Sequence, residues 1–168
     1  MSARVGAGIL VAALGLAGCG YTVRGNLPSH IKTISVPIFA NRTQQPGVEG
    51  LITRAVVEAF SANGRLRPAS ADQADAILEG EVTGYGVTAI AFDQSANITI
   101  YRLAVSLNLT LRDTRDKKVL FAQDGFREQT DFRVQGAVSS TISREQDALG
   151  AAAVEIGRSV VSLAIQRF

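Results

Sequence analysis

The chain is 168 residues long, carries 17 Lys and Arg against 15 Asp and Glu for a formal net charge of +2, and holds one cysteine and one histidine. Near-neutrality excludes a polyanion-binding surface spread over the whole molecule, so nucleic acid is not expected as a partner and any anion site must be local. One cysteine and one histidine exclude a disulfide framework and a zinc site built from Cys and His, and about 150 residues beyond an N-terminal leader suffice for one domain with its own core.

Residues 1–18 read as a signal peptide. Arg4 supplies the positive start, Val5 to Leu16 the apolar run, and Ala17 and Gly18 the small residues before a cleavage site. The run is too short to cross a bilayer, which takes about 20 apolar residues. Leu16-Ala17-Gly18-Cys19 matches the lipobox of bacterial lipoproteins, so cleavage before Cys19 and covalent lipid on its thiol are expected. An ordinary secretory signal ending near a cysteine is the plainer alternative. One acyl chain holds a protein only marginally, at about 0.8 kcal/mol per buried CH₂, whereas two or three together anchor it stably. The mature chain is thus expected to be membrane-anchored without spanning, with the lipid on Cys19 its only attached group.

Cys19 to His30 carries Gly25, Asn26 and Pro28 without an apolar period and reads as a lipidated tether over 19–30, followed by a single domain over 31–168. The β-branched stretch Ile31 to Phe39 predicts a strand that ends at Pro37 or runs along a sheet edge. Val48, Leu51, Ile52, Ala55, Val56, Ala59 and Phe60 fall at helical spacing, opposite a polar face with Glu49, Thr53, Arg54, Glu58 and Ser61, and Asn63-Gly64 gives the stop. Ala76 to Tyr85 predicts a second strand, with Ala76, Leu78, Gly80, Val82 and Gly84 on one side and Glu79, Glu81, Thr83 and Tyr85 on the other. The third is the clearest: Tyr101, Leu103, Val105, Leu107, Leu109 and Leu111 alternate with Arg102, Ala104, Ser106, Asn108, Thr110 and Arg112, the period of a sheet covered on one face only. Asp113 to Lys117 reads as a hairpin turn leading to a fourth strand with Val119, Phe121 and Phe126 and a possible bulge at Gly125. Thr130 to Thr141 is looser and polar. A last helix is expected from Ser143, capped by its hydroxyl, with the stripe Leu149, Ala152, Ala153, Ile156, Val160 and Leu163.

The order β-α-β-β-β-α, with two amphipathic helices and strands apolar on one side, predicts an α+β two-layer sandwich: two helices on one face of a four-stranded mixed sheet. Candidate chemistry is sparse. His30 is the only imidazole and is expected to be a solvated residue before a strand rather than a base or ligand. Glu79 and Glu81 are neighbours on a polar strand face, an arrangement compatible with a glycosidase pair but equally with a solvated face neutralised by Arg102 or Arg112. Gly80, Gly84 and Gly86 are expected to be close-packing or bulge positions, not a phosphate loop. No catalytic or metal site is therefore expected. Arg112, Arg115, Lys117 and Lys118 concentrate positive charge at one sheet end, either to hold anionic phosphates or as a soluble turn partly offset by Asp113 and Asp116.

Cys19-Gly20-Tyr21, Arg24-Gly25, Leu27 to Pro37, Asn41-Arg42-Thr43, Leu51 and Arg54 in the first helix, Ala76 to Gly80 and Tyr101-Arg102-Leu103 together resemble the LPS-assembly lipoprotein family, LptE. The resemblance implies an outer-membrane lipoprotein, without catalysis, that plugs the LPS-assembly β-barrel LptD, assists its folding and takes part in lipopolysaccharide transport. It implies the fold derived above, two helices on a four-stranded sheet. Gly20 lacks the aspartate of inner-membrane retention. Family contacts to lipopolysaccharide involve basic residues, yet Phe92 to Ala96 here contains none, so charge alone makes Arg112, Arg115, Lys117 and Lys118 the candidate contacts. Arg102 and Arg112 are the candidate barrel-facing residues. Stretches like Val36 to Thr43 also occur in lipoproteins that activate cell-wall synthases or build secretion pores; the former usually carry longer tethers and the latter long amphipathic hairpins. A periplasmic hydrolase using Glu79 and Glu81 is a third reading.

Overall fold

A computed structural model describes residues 27–94, 97–133 and 138–166. The expected signal peptide, Cys19 and most of the tether lie outside the described residues. Six strands and two helices follow in the order β1 (Thr33–Ser35), β2 (Ala40–Asn41), α1 (Val48–Asn63), β3 (Arg67–Pro68), β4 (Ala76–Phe92), β5 (Ile98–Asp113), β6 (Val119–Arg133) and α2 (Val138–Gln166). The sheet runs β3-β1-β4-β5-β6, with β2 also paired to β4. β1 lies parallel to β3 and β4, as the crossover through α1 requires, and the β4–β5–β6 meander is antiparallel. The α+β class and the mixed sheet stand, but the sheet has six strands where four were expected.

One of the two extra strands has a proline as its cause. Pro37 has no N–H for the ladder, so the expected strand from Ile31 to Phe39 breaks into β1 and β2, leaving Ile38 76% exposed and turning Phe39 into the core. β3 is two residues long, ends in Pro68 and sits on the sheet edge, too short to show a period. At the other end β6 runs on through Arg133 and α2 begins at Val138, so Ser143 lies inside the helix rather than at its cap.

The core lies between the sheet and the helices. Leu103, Val105, Leu107, Leu109 and Leu111 of β5 are fully buried beneath Val48, Ile52, Val56 and Phe60 of α1 and Ala152, Ala153, Ile156 and Val160 of α2. α1 stops where Gly64, at φ 74°, returns its N–H to the Phe60 carbonyl. Thr53, expected on the polar face, is buried: its hydroxyl donates to the Glu49 carbonyl and accepts the Phe39 N–H, securing the backbone just after Pro37. Phe39 in turn lies over Gly80, where an added Cβ would come within 2.6 Å of the ring. Bulges set the faces. An extra residue in β4 between Val82 and Gly84 reverses the alternation, so Tyr85 points toward α2 and Gly84 lies against Ser106, opposite to the expected assignment. A bulge in β6 falls at Gly125, φ 63°, as the sequence suggests.

Candidate interaction surface

No helix covers the second face of β4, β5 and β6 among the described residues, and its side chains are paired across strands rather than packed. Arg102 and Asp131, opposite each other on β5 and β6, form a two-pronged contact, Nε to Oδ1 at 2.7 Å and Nη2 to Oδ2 at 2.8 Å. This bonding raises the Arg102 pKa and holds Asp131 below the usual carboxylate range. Arg112 Nε donates to Glu79 Oε2 at 3.0 Å, and Arg42, just after β2, donates to Glu81 Oε1 at 2.6 Å. Ser106, Asn108 and Thr110 fill the middle of β5, and the Asn108 side-chain oxygen accepts the Gly125 N–H. The result is a surface rich in hydrogen-bonding groups, on which Arg42, Arg102 and Arg112 are each paired with a carboxylate.

The family model described as LptE, Lipopolysaccharide-assembly, matches residues 31–163. The chain belongs to the LptE family. Its fold is similar to solved structures of other bacterial proteins. One is a protein of Caulobacter crescentus CB15 described as a lipoprotein, 15% identical, covering 75% of this chain and 87% of that one at a TM-score of 0.55. Another is a minor lipoprotein of Acinetobacter baumannii, 11% identical, covering 79% and 90% at a TM-score of 0.51. At these identities the likeness speaks for the fold alone. No curated protein matches the chain.

In this LptE-family chain Glu79 and Glu81 do share the open face, but each is engaged by its own arginine, Arg112 and Arg42, which is the solvated-face arrangement. Of the two arginines expected to neutralise them only Arg112 does so; Arg102 is taken by Asp131. The end of β5 and the turn after it place Arg112, Arg115, Lys117 and Lys118 at the surface, and among the described residues no ion pair joins the last three. Lys117 sits at φ 55°, which tightens the turn. Beneath it Asp113, 2% exposed, organises the loop: Oδ1 accepts the N–H groups of Arg115 and Asp116, and Oδ2 meets His30 Nε2 at 2.8 Å. Burial pushes the Asp113 carboxyl up, but the Asp116 N–H, His30 and the Arg115 N–H together outweigh it and hold the group below its usual range.

His30 is therefore not simply solvated. It ties the start of the domain to the β5–β6 turn. One nitrogen of His30 and one oxygen each of Asp113 and Asp116 lie within 4.8 Å of one another, but both Asp113 oxygens already accept hydrogen bonds, which accounts for the cluster as a turn lock. A second lock sits alongside: Asp75 Oδ2 accepts the Lys32 and Thr33 N–H groups and the Thr33 hydroxyl, lowering its pKa. On the covered face Tyr85 donates to Glu145 of α2 at 2.6 Å, and burial together with that bond raises its pKa. Asp131 and Glu145 carried no sequence signal, because their partners depend on register across a bulge and on where α2 crosses the sheet.

Proposed function

We propose that this protein is an outer-membrane lipoprotein, anchored by lipid on Cys19, that plugs the LPS-assembly β-barrel LptD, assists its folding and so takes part in delivering lipopolysaccharide to the cell surface. The family match over residues 31–163 carries this reading. The uncovered sheet face supports it physically: a domain seated in a barrel lumen meets polar walls and needs a surface that can exchange hydrogen bonds, not an apolar patch. Arg102 and Arg112, with Asp131 and Glu79 beside them, offer that exchange on rigid strands. Lipopolysaccharide phosphates fit the β5–β6 turn, where Arg115, Lys117 and Lys118 present cations not committed to an ion pair while Arg112 is held by Glu79. The cofactor content of this reading is the lipid alone.

The test is isolation of the tagged full-length protein from detergent-solubilised outer membranes, with its companions identified by mass. A large barrel in equal amount is the expected result. A cell-wall synthase, or no companion at all, overturns the assignment.

A further inference from the structure

β6 ends the sheet. It pairs with β5 on one side, and among the described residues no strand or loop backbone bonds to its other side. Such an edge offers a row of N–H and C=O groups to another chain. The bulge at Gly125 confines the regular part to residues 126–133. There Phe126, Glu128, Thr130 and Phe132, opposite Leu107, Val105, Leu103 and Tyr101 of β5, lie on the covered side, while Arg127, Gln129, Asp131 and Arg133 are exposed on the open side. Outward from Gln129 the segment is complementary to itself: Glu128 answers Thr130, Arg127 answers Asp131 and Phe126 answers Phe132. Arg127 has charge to offer. With the Gln129 amide oxygen turned toward it, its Nε donates to that neutral group at 2.9 Å, and among the described residues no ion pair joins it. Asp131, though held by Arg102, keeps 44% of its side chain exposed.

We propose that two copies of this chain pair edge to edge through β6, antiparallel about a two-fold axis at Gln129. Face and charge select this register. Directly opposite residues of an antiparallel pair share a face, so the axis passes through a residue and not between two. An axis at Arg127 or Asp131 sets that residue against its own copy, one at Glu128 sets two carboxylates together, and one at Thr130 sets Arg127 against Arg133 of the second copy. Axes nearer either end shorten the ladder. At Gln129 amide meets amide, each Arg127 faces an Asp131, each Thr130 hydroxyl can donate to a Glu128, each Phe126 meets a Phe132, and no like charges stand opposite. Asp131 then lies between Arg102 of its own chain and Arg127 of the other. The same patch serves both copies, so the contact closes as a dimer. The pairing goes beyond the plug reading and does not rest on it, since it concerns copies outside a barrel.

The test uses the purified full-length protein in detergent, without any barrel, with single added cysteines and mild oxidation; the parent chain reports any reaction of Cys19. Gln129→Cys lies on the axis and meets its own copy, whereas Arg133→Cys, on the same strand and face, stands about 26 Å from its copy along the strand. Gln129→Cys should therefore form a disulfide-linked dimer at least about tenfold faster than Arg133→Cys, through its higher effective concentration. Adding Arg127→Asp, which sets carboxylates opposite each other twice in the dimer, should slow Gln129→Cys about tenfold, and Arg127→Lys should keep it within about twofold. Arg127 is exposed, so both variants should keep the urea midpoint of the parent. Equal rates at positions 129 and 133 overturn the edge pairing, and a fast Gln129→Cys indifferent to Arg127→Asp overturns the contact of Arg127 with Asp131.

Discussion

The two faces of β5 belong to one run of residues and do different work. On the covered face five consecutive alternate positions, Leu103 to Leu111, have no exposed surface at all. On the open face Arg102 and Arg112 remain about half exposed and find partners only across the strands. The covered face supplies stability through burial, which is proportional to area and indifferent to partner. The open face supplies a pattern of donors and acceptors, nearly neutral for folding because water competes for every bond, and therefore free to be specified by a binding partner.

The largest break in this contrast should come from the covered face. Leu107→Ala is expected to cost about 2–5 kcal/mol in urea unfolding, since the site is closed on all sides and leaves a cavity. Gly157→Val should cost about 1–3 kcal/mol, because its Cβ meets α1 backbone that cannot yield without moving the helix. Acid sharpens the comparison at the sheet end. Asp75 and Asp113 have folded-state pKa values below their unfolded ones, so they contribute stability above the ordinary carboxylate pKa of about 3.9, which is lost as pH falls through the folded values. Melting temperature should hold between about pH 7 and 5 and drop below about 4, and Asp75→Asn with Asp113→Asn should flatten that acid limb at reduced stability. Least of all for folding, Arg102→Glu, set against Asp131, should leave the urea midpoint within experimental scatter while lowering recovery of the barrel in the isolation described above. A large loss of stability in Arg102→Glu, or full barrel recovery, would overturn the proposed barrel-facing role of Arg102.

Much of this was legible in the residues. The alternation in β5, the Gly64 stop of α1, the turn at Asp113 to Lys117 and the bulge at Gly125 follow from local chemistry, and the structure has each of them. The face of Tyr85 did not follow, because strict alternation from Ala76 gives the wrong side once one extra residue enters β4 between Val82 and Gly84. Pairing of Arg102 was hidden for a related reason: without the extra residue in β6 near Gly125, Arg102 would face Thr130 instead of Asp131. Thr53 looked like surface because its two hydrogen-bond partners, the Glu49 carbonyl and the Phe39 N–H, are backbone groups with no sequence signature.

By itself the sequence determined the two helices, the three long strands and the apolar side of β5, because helix and strand periods are properties of neighbouring residues. Only the tertiary structure decided which charges meet, how Pro37 divides the first strand, that His30 and Asp113, 83 positions apart, share a proton-bearing contact, and that a groove opens between α1 and α2. These depend on register summed over bulges and on the closeness of helices at a single glycine. Such quantities belong to distances between chain segments, and no local pattern encodes them.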